Sequence, residues 1–343
     1  MRPYVIDPAK PETLTRSLGS IICEEISIGR TRLFHKGHRI VEGDLDRLAT
    51  VERPIHAVVL ELDDVHENEA ARILAKMLAG PGIEISDPKL SRVNLLSNRK
   101  GLLRIDGERL TAVNRLPGLA AFSLVDRIAV LPQTTLAGAK TIPVAVTRSL
   151  LDQVAVIAGT EPILQVKEFR PFRVGVISTE ILEGKVLERF QRTVRQKIEW
   201  FGGSVLGFVE TEDESGAISR AILDFLAIGA ELILTGGGNS MDPLDAALSA
   251  LPMVDAELVK LGAPVHPGSM FWLAYRGDIP IFNLASCSMY SRATSADLVL
   301  PWIMAGERVT IDDLASLGFG GLLEGKSMAF RFPPYDFEQT GME

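Results

Sequence analysis

The sequence predicts a two-domain α/β protein, and three observations predict it. First, 343 residues suffice for two hydrophobic cores. Second, beyond about residue 166, short β-branched runs alternate with stretches of helical apolar periodicity, the pattern of a mostly parallel sheet with helices on both faces. Third, no such alternation precedes residue 159. There, short apolar stretches are punctuated by Gly, Pro and Asn, which predicts an α+β, partly all-β accessory region. The expected organisation is an accessory domain over 1–165 with a β-rich module around 92–146, a three-layer α/β domain over 166–325, and a tail over 326–343.

Bulk properties narrow the function. Hydrophobic residues make up 46% of the chain and charged residues 23%, as in ordinary globular proteins. A formal charge of -8 argues against nucleic acid as a partner, because displacing phosphate counterions needs a basic face. Cys23 and Cys287 make neither a disulfide framework nor a four-ligand zinc site. The first residues lack an apolar signal core, and no run approaches the roughly 20 apolar residues of a spanning helix. The expectation is a cytoplasmic protein with no membrane partner.

In chain order, residues 21–34 read as extended and Lys36-Gly37-His38 as a turn. Residues 57–62 read as a strand, and 67–79 as a helix with Ala70, Ile73, Leu74 and Met77 on one face, stopped by Gly80-Pro81-Gly82. Several short strands are expected over 92–146, then a helix over 148–158. A junction is expected at 159–162, with Arg170-Pro171 as the alternative. The second half reads strand 174–178, helix 186–200, strand 204–209, helix 218–228, strand 232–235, and later strand 280–284 followed by a helix over 290–305. In such sheets ligands sit beyond the carboxyl ends of the strands.

The run Thr235-Gly236-Gly237-Gly238-Asn239-Ser240-Met241 follows one such end. Successive glycines allow backbone N–H groups to converge on an anion. Asp242-Pro243 suits the N-cap and first position of a helix whose N-terminus would favour negative charge. The same residues also fit a plain tight turn with a capped helix, and both readings stand at this point.

These pieces resemble the molybdopterin-binding domain of molybdenum-cofactor biosynthesis proteins of the MogA and MoeA type. The resemblance rests on Thr235-Gly236-Gly237 with Asp245 downstream, on Glu180-Ile181-Leu182-Glu183-Gly184 after the first strand, and on Pro267-Gly268 before the 279–284 strand. It covers about residues 173–305. It implies a MogA-like fold and a pterin phosphate lying across the strand ends. The ligand would be held by Thr235, Gly236, Gly237, Gly238, Asn239, Ser240, Glu180, Pro267 and Gly268. It also implies magnesium at Asp245, a reaction such as adenylylation or molybdate insertion with molybdate or a nucleotide as co-substrate, and a homo-oligomer using the apolar stretch 299–305. Two departures are visible. The Gly237–Asp245 spacing is one residue longer than usual, so Asp242 and Asp245 compete for the catalytic carboxylate position. Leu284-Ala285-Ser286 stands where relatives carry Leu-Pro-Gly, with Ser286 and Ser288 as substitute donors. Two other functions follow if turnover is lost or redirected: a cofactor carrier or sensor, or a metal-dependent nucleotide pyrophosphatase.

Remaining signals read as structural. Residues 320–327 match the Walker A letters but lack a following helix pattern. Cys287 with His266 lacks a glycine elbow. His35, His38 and His66 with Asp63 and Asp64 have no metal-site spacing and read as surface polar residues. The acidic run 210–214 reads as a solvated loop, and Phe271-Trp272 with Tyr275 as core or interface.

Overall fold

The computed structural model describes residues 1–180, 182–237, 242, 244–284, 293–323 and 326–335. The chain divides into two units. One comprises Met1–Arg99, Leu103–Asp126 and Leu131–Val166, the other Lys100–Leu102, Arg127–Val130 and Lys167–Glu343. Two short pieces from the middle of the first half thus belong to the second unit.

In the N-terminal unit, strand Arg2–Ile6 pairs antiparallel with Ile55–Val59, which pairs on its other edge with Ile21–Ile22. Ile6, Ile22, Ile26, Phe34, Leu48 and Ile55 close the core beneath. The strand expected over 57–62 lies earlier because that pairing ends at Val59, after which Asp64 Oδ2 accepts the Glu61 N–H at 2.8 Å in a turn. A four-stranded antiparallel sheet follows, in the order Leu119–Ser123, Thr135–Thr141, Arg92–Ser97, Ile83–Ile85. The Glu67–Leu78 helix packs on it through Ala70, Ala71, Leu74, Ala75 and Leu78, all fully buried. The β-rich module also contains a helix the sequence reading lacks, Gly107–Asn114, which starts where Asp106 Oδ1 accepts the Arg109 N–H at 2.9 Å.

The C-terminal unit is built on one six-stranded sheet: β1 (Arg173–Ser178), β2 (Ser204–Glu210), β3 (Leu232–Gly236), β4 (Glu257–Leu261), β5 (Trp272–Arg276) and β6 (Ile279–Leu284). Their order is β2-β1-β3-β6-β5-β4. The first four are parallel, and β5 and β4 extend the sheet antiparallel. Strand alternation sorts side chains into two layers. Val174, Val176, Leu232, Leu234 and Phe282 share a core with α1 (Gly184–Trp200) and α4 (Ser295–Met304). Ile177, Ile233 and Ile281 share the other with α2 (Ser215–Ala227) and α3 (Ala246–Ala250). The helical spacing of Ile218, Ala221, Ile222 and Phe225 is what lets α2 lie flat on that face.

Several expectations shift. Strands β4 and β5 are additions to the sequence reading. Within the described residues, the helix expected over 290–305 runs from Ser295 to Met304 and is buried at every position. Val299 and Met304 are consumed by the unit's own core and are not a surface for a second copy. Phe271, Trp272 and Tyr275 are core. Gly320 and Gly321 follow the Ile311–Ser316 helix rather than a strand, so the Walker A letters lack the strand a phosphate loop needs. Among the described residues, no helix is long and apolar enough to cross a membrane.

Candidate functional site

Register places the ends of the four parallel strands in one row. Ser178 pairs with both Glu210 and Gly236, and Gly236 pairs with Leu284. The segments leaving this row carry the candidate residues, because a parallel strand must exit at its carboxyl end before its crossover.

One step inside the row, Thr235 stands beside Asn283 in register. Alternation from Ile233 and Ile281 puts both on the α2/α3 face. Thr235 is 2% exposed, and its hydroxyl has no hydrogen-bond partner among the described residues. Asn283 is also buried; its Oδ1 accepts the Trp272 N–H at 2.7 Å and its Nδ2 donates to Met270 O at 2.9 Å. Two polar groups side by side in an otherwise apolar layer are costly unless used, and the Thr235 hydroxyl is the one left over. Asn283 is a residue the sequence reading missed. Its signal was an amide inside the run Pro280-Ile281-Phe282-Asn283-Leu284.

Asp245 begins α3 on the same face. It is the N-cap, its Oδ1 accepting the Leu248 N–H at 3.0 Å, and it is 6% exposed. Asp242 differs from expectation. It is exposed, and its Oδ1 accepts the Leu244 N–H at 2.9 Å in a local turn, while its carbonyl receives the Asp245 N–H at 3.0 Å. The helix cap is therefore three residues later than Asp242-Pro243 suggests. Because α3 is five residues long, it does not supply the helix-terminus field the sequence reading invoked.

Gly236 is a buried strand residue facing the Phe190 ring. Gly237, at φ 91°, leaves the strand against the neighbouring crossover. A β-carbon there would sit 2.6 Å from Thr179 Oγ1 and 2.9 Å from Glu180 Cγ. The Thr179 N–H donates to Gly236 O at 2.9 Å, and Ser178 Oγ donates to Glu180 O at 2.9 Å, so the two exits are clipped together. Glu180 thus lies beside Gly237. Pro267 and Gly268 dock on the start of α4, the helix that follows β6, where Ser295 Oγ donates to Gly268 O at 2.7 Å. Gly238, Asn239, Ser240, Ser286 and Ser288 lie outside the described residues, as does Cys287.

The acidic run after β2 is partly spent on local structure. Glu214 Oε2 accepts the Ala217 N–H at 2.8 Å, and the Gly216 and Ala217 amides hold its carboxyl below the ordinary range. Among the described residues, no three His, Cys, Asp or Glu side chains gather as a metal site. No set of protein ligands for magnesium therefore surrounds Asp245 among the described residues.

With this geometry in view, comparison with solved structures gives matches to part of the chain. Molybdenum cofactor biosynthesis protein B is 16% identical, covering 39% of this chain and 92% of that one, with a TM-score of 0.32. The MoeA molybdopterin biosynthesis protein from Pyrococcus horikosii is 14% identical over 65% of this chain and 74% of that one, at 0.28. The tungsten cofactor synthesizing protein MoaB from Pyrococcus furiosus is 12% identical over 39% and 93%, also at 0.28. All three are proteins of molybdenum or tungsten cofactor synthesis. No family model matches the chain, and no curated protein matches it.

Proposed function

We propose that the C-terminal unit binds molybdopterin, or its adenylylated form, at the carboxyl edge of its parallel strands and acts in molybdenum-cofactor biosynthesis. The observation that carries the reading is the buried Thr235 hydroxyl, without a hydrogen-bond partner among the described residues, on the same sheet face as the buried Asp245. A ligand oxygen arriving at the strand ends would give that hydroxyl the bond it lacks. The crossover position of the site, beyond parallel strands, is where such sheets place anionic ligands. The Thr-Gly-Gly and downstream Asp pattern supports a pterin phosphate in particular. The glycine backbone and Glu180 would border the phosphate, and Asp245 would face the reacting group. Molybdate or a nucleotide would enter as co-substrate. The bound group would supply the dithiolene that receives the metal; the chain's own residues bind and orient it.

The test is calorimetric titration of the intact protein with molybdopterin. Binding in the micromolar range is expected, and its absence ends the reading. Asp245→Asn then separates enzyme from carrier. Asn caps a helix as well as Asp, so fold and much of the affinity should survive. A transferase should lose adenylyl or molybdenum transfer by about 100-fold or more, the scale of removing one acid–base or electrostatic group. Wild-type protein that binds the pterin yet shows no transfer is a carrier.

A further inference from the structure

By spacing alone His35, His38 and His66 read as surface polar residues. In the N-terminal unit they line one cleft, so three of the chain's five histidines share it with Lys36 and Glu67. The cleft has a volume of about 600 Å³, within the range of sites for small organic ligands.

Its floor is where the 36–38 turn rests on the first turn of the Glu67–Leu78 helix. Gly37 has φ 81°, a conformation that favours glycine, and a β-carbon there would fall 2.2 Å from Glu67 Oε1 and push the carboxylate aside. His66 Nδ1 accepts the Asn68 N–H at 3.4 Å, which leaves Nε2 as the donor to Gly37 O at 2.9 Å. His38 Nε2 lies 2.7 Å from Asp44 Oδ2, which also accepts the Val41 N–H. Both rings are thereby held in fixed orientations before any ligand arrives.

Glu67 is the unexplained group. Its side chain is 2% exposed, and Oε2 has no hydrogen-bond partner among the described residues. The ammonium opposite, Lys36 Nζ, is 3.8 Å away and donates to Ile142 O at 2.7 Å. A buried carboxylate kept short of hydrogen bonds is expensive. What it does here is fix a lysine at the cleft wall, with one N–H used and two left for a visitor. The twelve-residue helix starting at Glu67 adds a favourable field for negative charge.

We propose that this cleft is a second ligand site, independent of the C-terminal one, and that it takes a small organic phosphate monoester or the inorganic anion of the same chemistry. Lys36 is the anchor for the anion, His35 Nε2 is a further donor because its Nδ1 faces the Arg32 guanidinium at 3.5 Å, and Glu67 is the positioning residue that holds Lys36.

The experiment is histidine side-chain NMR on the full chain, titrated separately with ribose 5-phosphate and inorganic phosphate. Saturable shifts are expected at His35, His38 and His66 and not at His56 or His266, which lie outside the cleft. A tighter response to the sugar phosphate assigns the site to an organic ester, and an equal response assigns it to the inorganic anion. Lys36→Met should weaken binding by about tenfold or more, the scale of a lost charge-assisted hydrogen bond, while Lys36→Arg retains it. Glu67→Gln should weaken it several-fold with unchanged spectral dispersion. Failure of the cleft imidazoles to respond at about 10 mM, a concentration covering even weak sites, overturns the proposal. So does a response confined to His266 or unaffected by Lys36→Met. Either result leaves the molybdopterin reading untouched, since Asp245→Asn should not alter the histidine shifts.

Discussion

At the scale of single residues, several side chains carry a local energetic cost that has a use. Gly237 is one point where the backbone, rather than a ligand, demands glycine. Gly237→Ala must both hold φ 91° and push against Thr179 and Glu180, so a loss of about 1–3 kcal/mol in urea denaturation is expected. Asp245→Ala should cost about 1 kcal/mol through the lost cap, and Asp245→Asn only a few tenths. Glu67 makes the sharper case. Burial pushes its carboxyl above the ordinary value, with Lys36 pulling the other way. A raised acid pKa destabilises the fold while the group is ionised, and that cost fades as pH falls through the folded value towards the unfolded value of about 4.3. Glu67→Gln should therefore equal or exceed wild type in melting temperature at pH 7. Its advantage should shrink as the buffer is acidified towards pH 4.5. An advantage that grows on acidification would refute the argument.

At the scale of elements, the sequence exposes what is periodic and hides what depends on distant partners. Strands β1, β2, β3 and β6 were legible because each is a short apolar run between helical stretches, and α1 and α2 because their apolar residues recur every three or four positions. Strands β4 and β5 were not, since Glu257-Leu258-Val259-Lys260-Leu261 mixes charge with apolar residues and is made a strand by pairing with β5. The α3 start was misjudged because Asp242-Pro243 satisfies the local rules for a cap as well as Asp245 does, and only the turn through Leu244 decides between them. The start of α4 rests on a contact no local pattern announces. Lys197 Nζ lies 2.7 Å from Asp297 Oδ1, both nearly inaccessible, with the Tyr335 hydroxyl donating to the same oxygen at 3.1 Å. Asp297 Oδ2 accepts the Thr294 N–H at 2.9 Å. Lys197→Met would leave that carboxylate buried beside an apolar chain. A loss of about 3–5 kcal/mol in denaturant unfolding is expected; a loss under about 1 kcal/mol would mean that Tyr335 and the backbone suffice.

For the molecule as a whole, the α/β half declared itself through alternation, while the N-terminal half was readable only as a class. Its eight short strands and three helices between residues 64 and 158 are set by antiparallel pairings, several of them across long sequence gaps that no short window of the chain contains. The cleft of His35, His38 and His66 illustrates the same point, for those residues become neighbours only when the 36–38 turn meets the Glu67–Leu78 helix. In the C-terminal unit the candidate site joins residues from separate crossovers, so its chemistry is a property of the assembled sheet edge. The most direct measurement is a pairing of stability and affinity in Thr235→Val. Replacing a buried hydroxyl that has no partner among the described residues by a methyl group of the same shape should stabilise the free protein by up to about 1 kcal/mol, while molybdopterin affinity falls about tenfold. A variant that gains stability yet binds as tightly as wild type would contradict the assignment of that hydroxyl to the ligand.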